Sequence, residues 1–413
     1  MQEKLGEIPL SPRAAARATA ALIALRIGYA YNWFDISPAL RPIGATYGVG
    51  PADWGVLVAA FLVGAGLLQV PAGLLARRYG ARSVSIAGVG LLAVSAAACA
   101  AAPTFLVLVA LRLVAGVGAA LFFSPAIGLV ASLYPPGRRG VPVGIFSSAF
   151  SAGSALGIVG SALLIPVIGW QLTLVVGGAV LGGAALASIV LVPATVGAAP
   201  KAPTVRGPRL PVSLRFRGVW AVGIAFIGLE GATFATGQFV VPWGETVEGW
   251  TITLAGVVGM MFVLPSILGG PIGGRAAERH RNHRTQFVVA MLVGAGVLAL
   301  LPWAGLAVAL AVGVVFAFSY GIIYAVMYVI PHSWREVPAE EIPLAIGLFN
   351  SIQLAGGAGV SALFGVIVAT YSYAVAWEVL PLLMLSTFVA IAFLPAAPSV
   401  SAGPPAAEGP ALR

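Results

Sequence analysis

Five ionisable side chains stand inside otherwise apolar stretches of this sequence: Arg26, Asp35, Arg112, Glu230 and, near the end of its stretch, Glu378. A charge at bilayer depth costs at least ~2.5–3.5 kcal/mol on insertion scales, so such a group faces a water-filled cavity or a partner. Two kinds of chemistry are open to them. The forked donors of Arg26 and Arg112 can hold an anion, and the carboxyl groups can take up and release a proton. Glu230 lies ~12 residues, or ~18 Å, along its stretch, close to the midplane. No basic residue in the second half of the chain shares that depth, which makes Glu230 the first choice for a proton-coupling site. A neutral acid hydrogen-bonded to a neighbour such as Thr233 is the plainer alternative.

Asp35 closes the stretch Tyr31-Asn32-Trp33-Phe34-Asp35. Gly28, Tyr31, Asn32 and Asp35 fall at i, i+3, i+4 and i+7, on one helix face, and that polar face is expected to line a cavity. Arg26, nine residues before Asp35, falls on the opposite face. Arg26 is thus an anion-binding candidate or a side chain reaching for the cytoplasmic surface. Arg112 lies ~12 Å from the outer start of its stretch, a depth similar to Asp35. A buried arginine needs a counter-charge, so Asp35 and Arg112 are expected to meet, either as a fixed tie or as a proton switch. Gln69, the recurring Tyr320 and Tyr324 (with Tyr328 beyond), and the i, i+3 amides Asn350 and Gln353 complete the candidate pocket, together with Tyr31 and Asn32.

Other chemistry is missing. The three histidines, His280, His283 and His332, fall in loops, and no Cys or His spacing suits a metal. No Gly-x-x-x-x-Gly-Lys-Ser/Thr loop is present, which argues against ATP-driven work. No metal or cofactor is expected, and no nucleophile–base arrangement is visible, so an enzyme is not expected.

The elements that must position these residues are membrane helices. Hydrophobic residues make up 60% of the 413-residue chain and charged residues 8%, against about 25% charged in soluble domains. Glycine, at 53 residues, is nearly twice as frequent as the usual ~7% and suits helices packed closely in lipid. Windows of about 20 apolar residues give twelve spans, roughly 19–41, 53–75, 83–102, 104–132, 141–167, 171–193, 218–241, 251–274, 285–303, 305–331, 342–369 and 373–395. Nineteen of the 22 Lys and Arg residues fall on one side of that arrangement, which places both termini in the cytoplasm. The net charge of +9 therefore reports topology. Its basic residues are dispersed among short loops, so no nucleic-acid partner is expected.

Residues 194–217 are proline-rich and basic, a linker composition. They separate an N-terminal bundle (19–193) from a C-terminal one (218–395), with tails at 1–18 and 396–413. The halves repeat. Gly144, Phe146, Ser148, Ala152, Gly153 and Ala155 recur as Gly347, Phe349, Ser351, Ala355, Gly356 and Ala358. After the second span, Gly73, Ala76 and Arg78 recur as Gly274, Ala277 and Arg279. Duplicated bundles of this kind place a substrate site at the midplane between halves that rock.

With these motifs the sequence resembles the major facilitator superfamily over nearly its full length. The family's loop motif appears as Gly73-Leu74-Leu75-Ala76-Arg77-Arg78-Tyr79-Gly80-Ala81-Arg82, and its span-four motif as Arg112 through Ala120. The resemblance implies an all-α membrane protein of twelve transmembrane helices in two six-helix bundles, and a gating role for Gly73, Arg77, Arg78, Gly80, Arg82, Gly274, Glu278 and Arg279. Arg77 stands where the family has a clasping Asp, whereas Glu278 occupies the matching place in the second half. Residues 32–39 and Gln69-Val70-Pro71 resemble the anion:cation symporter branch. Ile36 and Ala119 replace that branch's Arg and Glu, leaving Glu230 to substitute as the proton site.

The combined expectation is a monomeric, multi-pass carrier in the plasma (inner) membrane, moving a small organic anion such as a carboxylate by proton symport. A proton antiporter exporting a hydrophobic compound is the alternative, and a non-transporting receptor or scaffold is the reading from another class.

Overall fold

The computed structural model describes residues 11–135, 138–197, 212–280, 283–328, 330–334, 336–338 and 341–393. Most of the linker and both extreme tails lie outside the described residues. The described secondary structure is helical throughout, with no strand among the described residues. In chain order the helices are α1 (Pro12–Phe34), α2 (Leu40–Tyr47), α3 (Pro51–Leu67), α4 (Gln69–Tyr79), α5 (Ala81–Ala98), α6 (Phe105–Ser132), α7 (Gly140–Leu191) and α8 (Val212–Arg215). After them come α9 (Arg217–Ala225), α10 (Ile227–Thr246), α11 (Ile252–Met261), α12 (Ser266–His280), α13 (His283–Leu298), α14 (Leu306–Met327), α15 (Ile342–Thr370) and α16 (Tyr373–Leu385).

Nine helical stretches among the described residues are long and apolar enough to cross a membrane, or up to ten with the sharply bent pair α2 and α3 taken as one. α7 has 52 residues and is two helices joined at Gly169, whose φ of 77° turns the chain back. Without that turn it would run ~78 Å, more than twice the ~30 Å hydrocarbon core. Large apolar side chains such as Leu106, Val167 and Val190 stand exposed on the outer faces, where lipid would cover them.

Proline sets the breaks inside the expected spans. The stretch 53–75 is interrupted at Leu68, where Pro71 cannot donate to the carbonyl one turn back. α1 stops at Phe34, and residues 35–39, including Pro38, form turns before α2. Two carbonyls of the last turn of α1 are thereby left without helical donors. Arg112 donates to one, Asn32 O, at 3.2 Å. Gln238, from the other half, donates to Trp33 O at 2.8 Å.

The duplication is visible in the packing. α1 packs on α7 as α10 packs on α15, and α5 packs on α6 as α13 packs on α14. The repeat glycines make equivalent approaches: a Cβ on Gly153 would meet Ile27 of α1, and one on Gly356 would meet Ile227 of α10. Between the halves, α3 runs along α15 and α7 along α11.

At the end away from the basic loops these halves are joined. Ser37 donates to Gln238 O at 2.8 Å and Arg41 pairs with Glu245 at 3.1 Å. Gly365 of α15 lies against the Pro51 carbonyl, where a Cβ would strike backbone. Gly365→Val is therefore expected to hold this end open. A cysteine at the buried Ser37, in a Cys99→Ala background, should pass from protected to reactive toward an impermeant maleimide. Unchanged protection would sink this account of closure.

Candidate functional site

A cavity of about 920 Å³ lies between the halves and reaches the basic end, where Val143, Trp334, Val337 and Ile342 border it. α1 contributes Arg26, Tyr29 and Trp33 at i, i+3 and i+7, a single face. Arg26 is 4% exposed. Its guanidinium carbon lies 4.8 Å from the ring centre of Tyr29, 4.6 Å from Phe123, 5.5 Å from Phe146 and 4.7 Å from Phe150. Cation–π attraction of this kind holds the charge in place but satisfies no N–H. Nε and Nη1 of Arg26 are buried without a hydrogen-bond partner. No carboxylate of a described residue lies within ion-pair range of it. The arginine does not reach for the membrane surface; it is held in an aromatic cage beside the cavity.

The opposite wall comes from the second half. Glu230, in the first turn of α10, is 6% exposed and accepts a hydrogen bond from the Tyr320 hydroxyl at 3.1 Å. Thr233 bonds instead to Leu229 O, so the neighbour that meets Glu230 comes from α14. Tyr324 and Tyr328 share a hydrogen bond of 3.0 Å, and Tyr328 donates to Asn350 Oδ1 at 3.2 Å. Gln353 donates to the same oxygen at 2.8 Å, which leaves its own Oε1 buried and unpartnered. Tyr320, Tyr324, Asn350 and Gln353 all line the cavity. Gln69 does so from the first half, accepting from Ser124 at 3.0 Å.

The polar face of α1 is placed differently from expectation. Tyr31, Asn32 and Asp35 do not line the cavity; they turn into the packing against α7. The Tyr31 hydroxyl meets Ser161 at 3.1 Å, and Asn32 donates to Gly28 O and Gly177 O. The reason is steric as well as polar. Gly157 and Gly177 leave room for Tyr31 that a Cβ on either would fill, so α7 accepts this face closely. Arg112 and Asp35 meet as expected, Nη1 to Oδ1 at 3.7 Å. Arg112 stacks over Phe61 at 4.5 Å. At 2% and 0% side-chain exposure the pair is buried, and Arg112, Asn32 and Tyr31 are not among the residues lining this cavity. Glu378 lies on an exposed face of α16.

In the loop motif, Gly80 makes the turn after α4 with φ 89°, and Arg82 donates to Val192 O and Ile189 O at the end of α7. These are carbonyls without helical donors, and a cation there also opposes the negative helix end. Arg77 and Arg78 are exposed. Gly73 and Gly274 have open space around them. The side chains of Glu278 and Arg279 lie outside the described residues.

Sequence reasoning missed the cage around Arg26 and the aromatic plug above it. Trp33 lies 5.3 Å from Phe234, and Phe34 stacks on Phe234 at 5.7 Å. The spacing of Arg26, Tyr29 and Trp33 carried part of that signal. Phe123, Phe150 and Phe234 come from distant elements and carried none.

Three comparisons bear on this geometry. The family model described as Major Facilitator Superfamily matches residues 22–334. The methylenomycin A resistance protein of Streptomyces coelicolor is 30% identical over 172 residues, 40% of this chain and 36% of that protein. This chain thus spans about a third of that relative's length. The probable nitrate/nitrite transporter NarK2 of Mycobacterium tuberculosis (strain CDC 1551 / Oshkosh) is 27% identical over 278 residues, 65% of this chain and 68% of that protein. Among solved structures, a bacterial homolog of the human lysosomal transporter Spinster, in its inward-facing and occupied conformation, aligns with a TM-score of 0.72 at 18% identity. That alignment covers 93% of this chain and 97% of that one, and it speaks to fold alone.

Proposed function

This chain belongs to the Major Facilitator Superfamily and is a multi-pass membrane transporter, and from that premise we propose that it is a proton-coupled carrier of an organic anion. The observation that carries the reading is Arg26, a caged cation beside the cavity whose Nε and Nη1 have no hydrogen-bond partner. A carboxylate matches its fork with two charge-assisted bonds. Glu230 stands on the opposing half of the same cavity and is the proton site in this reading. The empty cavity then holds one positive and one negative group. Binding the anion leaves it balanced only when Glu230 takes a proton, so the two ligands travel together.

In this reading the chain has twelve spans as two bundles (19–193 and 218–395), both termini are cytoplasmic, and the carrier works as a monomer in the plasma (inner) membrane. The cavity faces the cytoplasm, and Ser37, Arg41, Gln238 and Glu245 close the outer end. Asp35 and Arg112 form a fixed tie between α1 and α6.

Export by proton antiport is the second reading. The resistance relative favours it, and so do the apolar cavity walls. Purified carrier in proteoliposomes separates the two. On adding carboxylates outside, alkalinisation of the medium identifies symport and acidification identifies antiport. Failure of every carboxylate to move, with a neutral or cationic compound carried instead, would overturn the anion reading.

A further inference from the structure

We propose that the cavity selects aromatic monocarboxylates that carry a hydrogen-bond donor remote from the acid group, such as hydroxyarene carboxylates. The proposal rests on the reading that this cavity is the transport site. Three features of the walls specify three features of the ligand.

The first is the cage. With ring centroids 4.6 to 5.5 Å from the Arg26 guanidinium carbon, the surroundings of a carboxylate held on that side chain are aromatic. On this proposal a flat carboxylate in line with a flat ring stacks on those faces, which a bulky saturated frame beside the acid group does not. Beyond the guanidinium the wall is still aromatic: Phe150 meets Trp33 edge-on at 5.6 Å, and Trp33 meets Phe234 at 5.3 Å. Rings in contact gain by offset or edge-on geometry beyond the area that they bury.

The second is charge. Arg26 is the only basic residue lining the cavity among the described residues, and Glu230 stands on the far wall. A second carboxylate has no cation to meet and approaches an acid. Dianions are thus disfavoured whether Glu230 carries its proton or not, because one negative charge stays uncompensated in the first case and two in the second, in a low-dielectric site.

The third is the amide pair. Gln353 Oε1 is buried, lacks a donor and belongs to a cavity-lining residue. An unmet acceptor is satisfied by a hydroxyl or N–H on the ligand. At about 920 Å³ the cavity accommodates a two-ring ligand with water to spare.

Calorimetric titration of the full-length carrier in detergent tests each feature with one series. The probes are 2-naphthoate, 6-hydroxy-2-naphthoate, naphthalene-2,6-dicarboxylate, decalin-2-carboxylate and 2-naphthylmethylammonium. The hydroxy acid should bind ~5–10-fold tighter than 2-naphthoate, and the dicarboxylate at least ~10-fold weaker. Gln353→Leu should remove the hydroxyl advantage and leave 2-naphthoate unchanged. Arg26→Gln should weaken both acids by ~100-fold, the loss of two charge-assisted bonds, with Arg26→Lys between. Decalin carboxylate or the dicarboxylate binding as well as 2-naphthoate would overturn this selectivity while sparing the anion reading. Binding of the ammonium alone, indifferent to Arg26→Gln, would overturn both. If Arg26→Gln does not yield folded protein, the Gln353→Leu comparison and the wild-type series still decide the proposal.

Discussion

Glu230→Gln is expected to abolish accumulation driven by a pH gradient while leaving substrate-for-substrate exchange in place. The substitution preserves shape, and the amide oxygen still accepts from Tyr320, which donates to Glu230 Oε2 at 3.1 Å in the native protein. What disappears is the charge and its proton. In the proposed cycle the empty cavity holds Arg26 and Glu230 as opposite charges. On the same reading the loaded cavity holds the anion on Arg26 and a protonated Glu230. Both forms are neutral and can close.

In the variant the loaded form remains neutral, but the empty form carries a bare guanidinium into a closed, dry state. The effective penalty for desolvating one ion is several kcal/mol, and each 1.4 kcal/mol is a factor of ten in rate. The empty carrier's return should therefore slow by at least ~100-fold, whereas the loaded carrier still crosses. Labelled substrate should enter vesicles preloaded with unlabelled substrate, at a rate within about tenfold of native, and fail to accumulate in empty vesicles under an inward pH gradient. Retained pH-driven accumulation in Glu230→Gln would remove Glu230 from the coupling role. Loss of exchange as well would place Glu230 in substrate binding.

The contrast between Glu230 and Asp35 shows what was legible from residue order. Depth along an apolar stretch is a one-dimensional quantity, and it placed Glu230 mid-membrane and matched Asp35 to Arg112 before any packing was considered. Which face of a helix looks into a cavity is set by its neighbours. The polar face of α1 was expected to meet water, yet its polar groups are satisfied by α7, whose Gly157 and Gly177 admit Tyr31. The face that borders the cavity is the aromatic one carrying Arg26.

The same limit hid the cage. An arginine nine residues from its nearest acid reads as an outlier on a helical wheel. Only the approach of Phe123 and Phe150 from α6 and α7 shows how a charge without an acid partner is held. The breaks at Leu68 and at residues 35–39 were partly legible through Pro71 and Pro38. The break at Phe226, which puts Glu230 in the first turn of α10, has no proline to announce it.

Arg112→Met should be the most damaging single change to stability in the first half, and Asp35→Asn in the same chain should recover most of the loss. The native pair is closed off, at 2% and 0% exposure with 3.7 Å between Nη1 and Oδ1. Neither oxygen of Asp35 has a hydrogen bond among the described residues, so Arg112 is its main compensation. Methionine keeps length and packing over Phe61, but it strands the carboxylate and frees the Asn32 carbonyl. Breaking a buried pair from one side destabilises by ~3–5 kcal/mol, and an orphaned buried acceptor adds ~1–3 kcal/mol. Asp35→Asn alone is milder, because Arg112 keeps its bond to Asn32 O and its ring contact.

The double variant removes both charges together, which for buried pairs is often near neutral. Thermal unfolding of the purified protein should show a coupling of at least ~2 kcal/mol between the two sites. The same set of proteins tests the fixed-tie reading against a proton switch. A tie predicts that Asp35→Asn, once shown to be folded, transports with the native pH dependence, because the carboxyl group lies outside the cavity and exchanges no proton with it. A folded Asp35→Asn that binds substrate but has lost its proton gradient response would make Asp35 the coupling acid. The sealed geometry would then have to open during the cycle, and α1 would have to part from α7 along the face where Tyr31 and Asn32 now bind it.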